Sequence, residues 1–175
     1  VVLKIGKPAP DFEAPAWFPD SKEEKRIKLS DFRGRWVVLF FYPRDFTFIC
    51  PTEIRGFASN FEEFVREKAA IIGASTDSFW SHRAWFEADE SLRDIPFPVI
   101  ADTTHEVSKS YEVLLDDGAA LRGTFIIDPD AVLRHITMND ADVGRSVLEI
   151  LRTLQALRTG SLCPMGWKPG EETLG

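Results

Sequence analysis

A chain of 175 residues with 44% apolar content suits one domain around a single core, and no Ser/Gly-rich linker, repeat or low-complexity tract divides it. A net charge of −7 argues against non-specific binding to nucleic acid or a membrane surface, and the mixed cluster Lys22-Glu23-Glu24-Lys25-Arg26 reads as a solvated loop. No apolar run has the length of a membrane span, and Val1 to Gly6 lack the basic-then-apolar layout of a secretory signal, so a cytoplasmic location is expected; the missing initial methionine leaves a removed targeting segment open.

The proline-containing, charged stretch from Pro8 to Arg33 predicts an N-terminal hairpin added to the core. The run Trp36-Val37-Val38-Leu39-Phe40-Phe41-Tyr42 predicts a buried strand. A helix follows from Cys50: Pro51 suits its first turn, Glu53 favours the positive end of the dipole, and Ile54, Phe57, Phe61, Phe64 and Val65 recur at helical spacing. Ala69 to Ser75 is short and apolar, as a strand buried on both faces should be. Asp77 or Ser78 caps a helix through Phe79, His82, Trp85 and Phe86, and Phe97 to Ala101 is the next strand. A short helix near Val107 to Tyr111 precedes two strands, Thr124 to Ile127 and Val132 to Thr137, joined by Asp128-Pro129-Asp130 in hairpin fashion. The last helix spans about Gly144 to Arg158 with Val147, Ile150, Leu151, Leu154 and Leu157 on one face, and the glycines and prolines beyond Gly160 exclude a regular element. This order predicts an α/β fold with a central sheet of mixed direction flanked by helices. Periodicity alone does not separate a thioredoxin-like fold from other small α/β sandwiches.

Chemistry concentrates on the two cysteines, Cys50 and Cys163. In a reducing cytosol a transient catalytic disulfide is a better expectation for them than a persistent structural one. Cys50 stands where a strand gives way to a helix, and the free N–H groups of a helix start favour thiolate over thiol. The alternative is a small buried hydrophobe, and position alone leaves both readings open. A cysteine hydrolase would need a histidine base, for which only His82, His105 and His135 are available, none in a local signature. A C-x-x-C redox pair is excluded because residue 53 is Glu. No metal-ligand cluster, phosphate-cradling loop or flavin motif occurs, so no bound metal or cofactor is expected.

The string Phe41-Tyr42-Pro43-Arg44-Asp45-Phe46-Thr47-Phe48-Ile49-Cys50-Pro51-Thr52-Glu53 closely resembles the active-site segment of the peroxiredoxins, in their typical 2-Cys, alkyl hydroperoxide reductase C-type branch. Leu162-Cys163-Pro164-Met165-Gly166-Trp167-Lys168-Pro169-Gly170 resembles the branch's resolving-cysteine tail, and Arg122-Gly123-Thr124-Phe125-Ile126-Ile127-Asp128 lies between the two matches. The resemblance spans essentially the whole chain. It implies a thioredoxin-like fold over residues 1–159, an extended C-terminal tail over 160–175, and a peroxidase acting on hydrogen peroxide and organic hydroperoxides.

Carried over residue by residue, the resemblance makes Cys50 the peroxidatic cysteine, Thr47 and Arg122 peroxide-binding, and Pro43 a shield against water. Glu53, Trp85 and Arg145 form a supporting shell. On the residues alone, Thr47 reads at least as well as a local cap and Pro43 as a strand terminator, and Arg122, just before an apolar strand, reads better as a solvated cation than as a catalytic one. Trp167 would expose a large ring unless the tail docked somewhere. The resemblance places that docking on a second subunit, whose Cys50 sulfenic acid Cys163 would resolve across a dimer. It also implies a ring of dimers and a thioredoxin-type or flavoprotein-linked reductant. A chaperone-like assembly role is the non-enzymatic rival and is compatible with it. Peroxide-sensitive relatives carry a Gly-Gly-Leu-Gly insertion that Asp89 to Phe97 lack, which implies easy local unfolding and resistance to over-oxidation.

Overall fold

The computed structural model describes residues 3–175, so Val1 and Val2 of the segment weighed as a secretory signal lie outside it. The expected N-terminal hairpin is formed by β1 (Glu13–Phe18) and β2 (Glu23–Lys28), paired antiparallel from Glu13 opposite Lys28 to Phe18 opposite Glu23. The charged cluster expected as a loop is therefore mostly strand. It is solvated all the same, because β2 is the outer edge of the sheet, where charged side chains discourage pairing with another chain.

β3 (Trp36–Phe41) sets the core. Its period-two alternation sends Val38 and Phe40, and Tyr42 just beyond the strand, to one apolar cluster and Val37, Leu39 and Phe41 to another, so it is buried on both faces. The first face is covered by α1 (Cys50–Ser59), α2 (Phe61–Arg66) and α3 (Phe79–Ala88), and by α5 (Val147–Thr159) at the end of the chain. The second is covered by the N-terminal segment through Phe12, and by Val107 and Tyr111 in and after α4 (Glu106–Ser110). β4 (Ala69–Ser75) and β5 (Val99–Ala101) extend the sheet in parallel on one side of β3, whereas β6 (Arg122–Ile127) and β7 (Leu133–Asn139) extend it antiparallel on the other. The strand order is β2-β1-β5-β4-β3-β6-β7, a mixed sheet of the kind the element order predicted.

A second expectation is corrected. The helix from Cys50 is not continuous: Asn60, at φ −105° and ψ 9°, ends α1 while its side-chain amide donates to the Gly56 carbonyl at 2.8 Å, the competition with backbone bonding that disfavours Asn inside helices. Val65, assigned to the apolar face, is half exposed as a result. The N-terminal hairpin is added to the core as expected, since β1 pairs antiparallel with β5 through Ala16–Ile100 and Trp17–Val99 and completes the sheet.

Candidate active site

β3 delivers the chain into the loop from Pro43 to Ile49, and α1 begins at Cys50 with Pro51 in its first turn. The Cys50 thiol is fully buried in the helix-covered cluster beside Ile54, Phe57 and Val147. Its sulfur accepts a hydrogen bond from Arg122 Nη1 at 3.4 Å. Arg122 opens β6 and is only 4% exposed; its Nε donates to the Ala141 carbonyl at 2.8 Å, which fixes the guanidinium plane. The same Nη1 donates to Glu53 Oε1 at 2.5 Å.

Glu53 lies one turn beyond Cys50 on α1 and is 3% exposed. Its Oε2 accepts from Arg145 Nε at 2.7 Å and from the Arg145 backbone N–H at 2.9 Å. Arg145 directs its remaining donors to the Gly123 carbonyl and Thr124 Oγ1, both at 3.0 Å, and to the Phe41 carbonyl, and it lies over the Phe40 ring. One residue thus ties together the end of β3, the start of α1, β6 and the entry to α5. Two guanidinium groups and one carboxylate leave a net charge of +1 in a buried site, and the nearest group able to balance it is the Cys50 sulfur as thiolate. Burial alone would weaken the hold of Arg122 on its proton, but contact with Cys50 and Glu53 raises its pKa above the ordinary value. Burial lowers that of Arg145, against the pull of Glu53, from a starting point so high that the group remains a cation.

The other expected residues lie at varying remove. Thr47 is exposed in the loop; its hydroxyl donates to the Arg44 carbonyl at 2.8 Å, leaving its oxygen lone pairs free to accept. Pro43 is half-buried at the bend after β3. Trp85 on α3 packs behind the loop, with its ring 6.1 Å from Tyr42 and 6.0 Å from Phe46. Cys163 is elsewhere, half-buried at the far end of α5, where its sulfur contacts Thr159 Oγ1 at 3.4 Å and the Ala156 carbonyl at 3.6 Å. Gly144 and Arg145, just ahead of α5, abut Ile49 and Glu53, whereas Cys163 contacts Ala156 and Thr159 near its other end, with a helical rise of roughly 14 Å from Val147 to Ala156 between the two places. Within this chain the tail is already tied down: Trp167 is buried, Arg152 Nη1 on α5 donates to its carbonyl at 2.9 Å, and its indole donates to the Glu171 carbonyl at 3.0 Å.

Sequence reasoning missed one buried group. Asp45, in the loop, accepts from Tyr42 Oη at 2.7 Å and Ser81 Oγ at 2.8 Å and contacts His82 Nδ1 at 2.7 Å. The available signal was His82 at helical spacing with Phe79, Trp85 and Phe86, a histidine on a core-facing stripe that must find a polar partner. His82, His105 and His135 make no hydrogen bond to Cys50 among the described residues, so the hydrolase reading lacks its base. No helix of the described residues is long and apolar enough to cross a membrane.

Comparison with known proteins places the chain in a family. The AhpC/TSA family model matches residues 5–136. Peroxiredoxin-1 of Gallus gallus is 50% identical over 97% of this chain and 89% of the relative, and a chloroplastic 2-Cys peroxiredoxin of Spinacia oleracea is 49% identical over 97% and 67%. Among solved structures, reduced 2-Cys peroxiredoxin of Plasmodium vivax superposes with a TM-score of 0.93 at 35% identity, covering 98% of this chain and 93% of that one. AhpC of Enterococcus faecalis gives 0.86 at 31% identity over 91% and 98%. Both solved structures carry the thioredoxin-like fold that the resemblance implied. A strand-to-helix thiol under a buried arginine, on that fold and with that kinship, makes the chain a member of the AhpC/TSA family, the peroxiredoxins, and a peroxidase oxidoreductase.

Proposed function

We propose that Cys50 is the peroxidatic residue of a thiol peroxidase that reduces hydrogen peroxide and organic hydroperoxides. The observation that carries this reading is the Arg122 guanidinium 3.4 Å from the buried sulfur, with a residual positive charge left by the Arg122-Glu53-Arg145 set. The thiolate attacks one peroxide oxygen and breaks the O–O bond; the other oxygen leaves as hydroxide or alkoxide and takes up a proton, and Cys50 becomes a sulfenic acid. Arg122 holds charge on the sulfur before the step and on the departing oxygen during it, as an oxyanion donor does. Thr47 Oγ1 accepts from the peroxide O–H, and Pro43, which has no N–H, shields the loop side.

Cys163 then attacks the sulfenic sulfur, forming a disulfide and releasing water. It acts on the Cys50 of a partner subunit, a reading supported by the placement of the two thiols in one chain at opposite ends of α5, with a rise of roughly 14 Å between them against the ~7 Å that a disulfide tolerates between Cα atoms. An assembly of two or more copies, read as a dimer and a ring of dimers, is supported by the edge position of β7 and by the exposed rings of Phe46, Phe48 and Trp80. Residues 1–159 are the peroxidase domain, 160–175 the tail that carries Cys163, and the enzyme is cytoplasmic. A thioredoxin-type dithiol reduces the disulfide, with a flavoprotein-linked reductant as the alternative.

The test is peroxide turnover with each reductant in turn, followed by non-reducing electrophoresis. Wild type should give a reductant-sensitive dimer after one equivalent of peroxide. Cys163→Ser should react once and stop. An oxidised monomer containing a Cys50–Cys163 bond would replace the partner-subunit reading with an intrachain one.

A further inference from the structure

We propose that Asp45 and His82 share one buried proton that latches the Pro43–Ile49 loop in the shape that presents Cys50, so that the loop opens as the pH rises. Proton counting carries the argument. His82 is fully buried, and its Nε2 lies 3.0 Å from the Ile100 carbonyl on β5, which only accepts, so Nε2 carries a hydrogen. Nδ1 lies 2.7 Å from Asp45 Oδ2. The other groups on that carboxylate, Tyr42 Oη and Ser81 Oγ, donate to it, so only a proton between ring and carboxylate makes the Nδ1 contact attractive. Without that proton a carboxylate faces a nitrogen lone pair at 2.7 Å, out of reach of water.

The surroundings do not soften this loss. The titratable groups facing the pair are Tyr42 at the end of β3 and Asp77 after β4; β5 offers the Ile100 carbonyl, and α3 adds Ser81 and the apolar rings of Trp85 and Phe86. Tyr42 stays a neutral donor, since burial and then Asp45 push its phenol well above its usual range. Asp77 adds a second negative charge, and its Oδ2 accepts the Asp45 backbone N–H at 2.8 Å. Burial by itself would lower the proton affinity of His82, but the hydrogen bond and charge of Asp45 raise the net value above 6.5. A folded pKa raised above the open-state one gives a latch fully present below that ordinary value and lost as pH rises through the raised one.

Asp45 is also the residue on which the loop turns. Phe46, next in sequence, has φ +60°, a left-handed conformation that a bulky side chain adopts only when its neighbours impose it. The bonds that fix Asp45 are those neighbours, and Thr47 and Cys50 follow directly. Asp45 and His82 are thus positioning residues, acting on Cys50 through the backbone.

The latch rests on the proposed role of Cys50 for its catalytic consequence alone, so the test uses reduced protein without peroxide. Hydrogen exchange of the loop, corrected for intrinsic rates, should give an opening constant that climbs by up to about tenfold per pH unit above about pH 6.5. In Asp45→Asn the amide supplies the bridging hydrogen permanently, and the climb should vanish. The His82 Cε1–H NMR resonance, assigned by its loss in His82→Gln, should titrate in wild type with a midpoint above the ordinary histidine value. A midpoint at or below that value, a flat wild-type opening constant, or an Asp45→Asn slope equal to wild type would each overturn the latch. A protein that shows the climb while its Cys50→Ser variant still turns over peroxide would uphold the latch and overturn the role of Cys50.

Discussion

Cys50 and Cys163 are held by opposite kinds of interaction. The groups around Cys50 come from afar: Arg122 is 72 residues from Cys50 and 69 from Glu53, and Arg145 is 92 from Glu53. Cys163 touches residues 4 and 7 positions away, and its tail is pinned by Arg152, 15 residues before Trp167. Long-range, fully buried bonds open only when much of the fold opens, whereas local ones on a turn-built segment open cheaply. On the proposed roles, a site that holds charge through a transition state needs the first kind, and a thiol that leaves its resting place to reach a sulfenic acid needs the second. The largest test of that contrast is Cys50→Ser, which should abolish peroxide consumption while leaving the tail docked, as read by unchanged burial of Trp167. Residual multi-turnover activity would remove Cys50 from the centre of the comparison.

Glu53→Ala should come next in size. It leaves Arg122 and Arg145 buried without the carboxylate that joins them, a loss of about 3 to 5 kcal/mol in stability, measurable by urea unfolding. Glu53→Gln should recover part of it by returning acceptor oxygen. If Glu53→Ala unfolds at the wild-type midpoint, the long-range set is not what stiffens this end of the molecule. Arg122→Met is the milder cut, keeping the packing of the stem while removing charge and donors. It should slow the peroxide step by about 2 to 4 kcal/mol, the loss seen for one oxyanion donor, and slow alkylation of Cys50 at neutral pH. Unchanged rates in both assays would return Arg122 to a structural role.

How much of this was legible in the sequence follows the same division. Features set by neighbours in the chain could be read: the alternation of β3, the helix start at Cys50-Pro51, and the turn-rich tail after Gly160. The break at Asn60 was a local signal too, overridden because the apolar spacing on either side stayed in phase. The partnership of Asp45 with His82, 37 residues on, and the hub role of Glu53 were not readable from the residues, because a buried carboxylate is identified by what surrounds it in space. Resemblance supplied Glu53 and Arg145 as a supporting shell, but only the geometry makes Glu53 the carboxylate that joins both arginines. The tail shows the opposite limit: the need to cover Trp167 was legible, while the bond from Arg152 on α5 to its carbonyl was not.

The smallest expected effect tests the loosely held end. Arg152 is partly exposed; it pairs with Glu149 at 2.6 Å and donates to the Trp167 carbonyl at 2.9 Å. Replacing it by Ala removes one charged hydrogen bond to the tail, roughly 1 kcal/mol for a group that solvent partly screens, and leaves the Cys50 site untouched. If the tail must detach from its own α5 before Cys163 can reach a sulfenic acid, that difference appears as disulfide formation up to about fivefold faster, with the peroxide step unchanged. A sulfenic acid captured sooner is exposed for less time to a second peroxide, so mass spectrometry after turnover in excess peroxide should find less Cys50 sulfinic acid in Arg152→Ala than in wild type. A slower disulfide step, or more sulfinic acid, would mean that the docked tail is the arrangement from which Cys163 reacts.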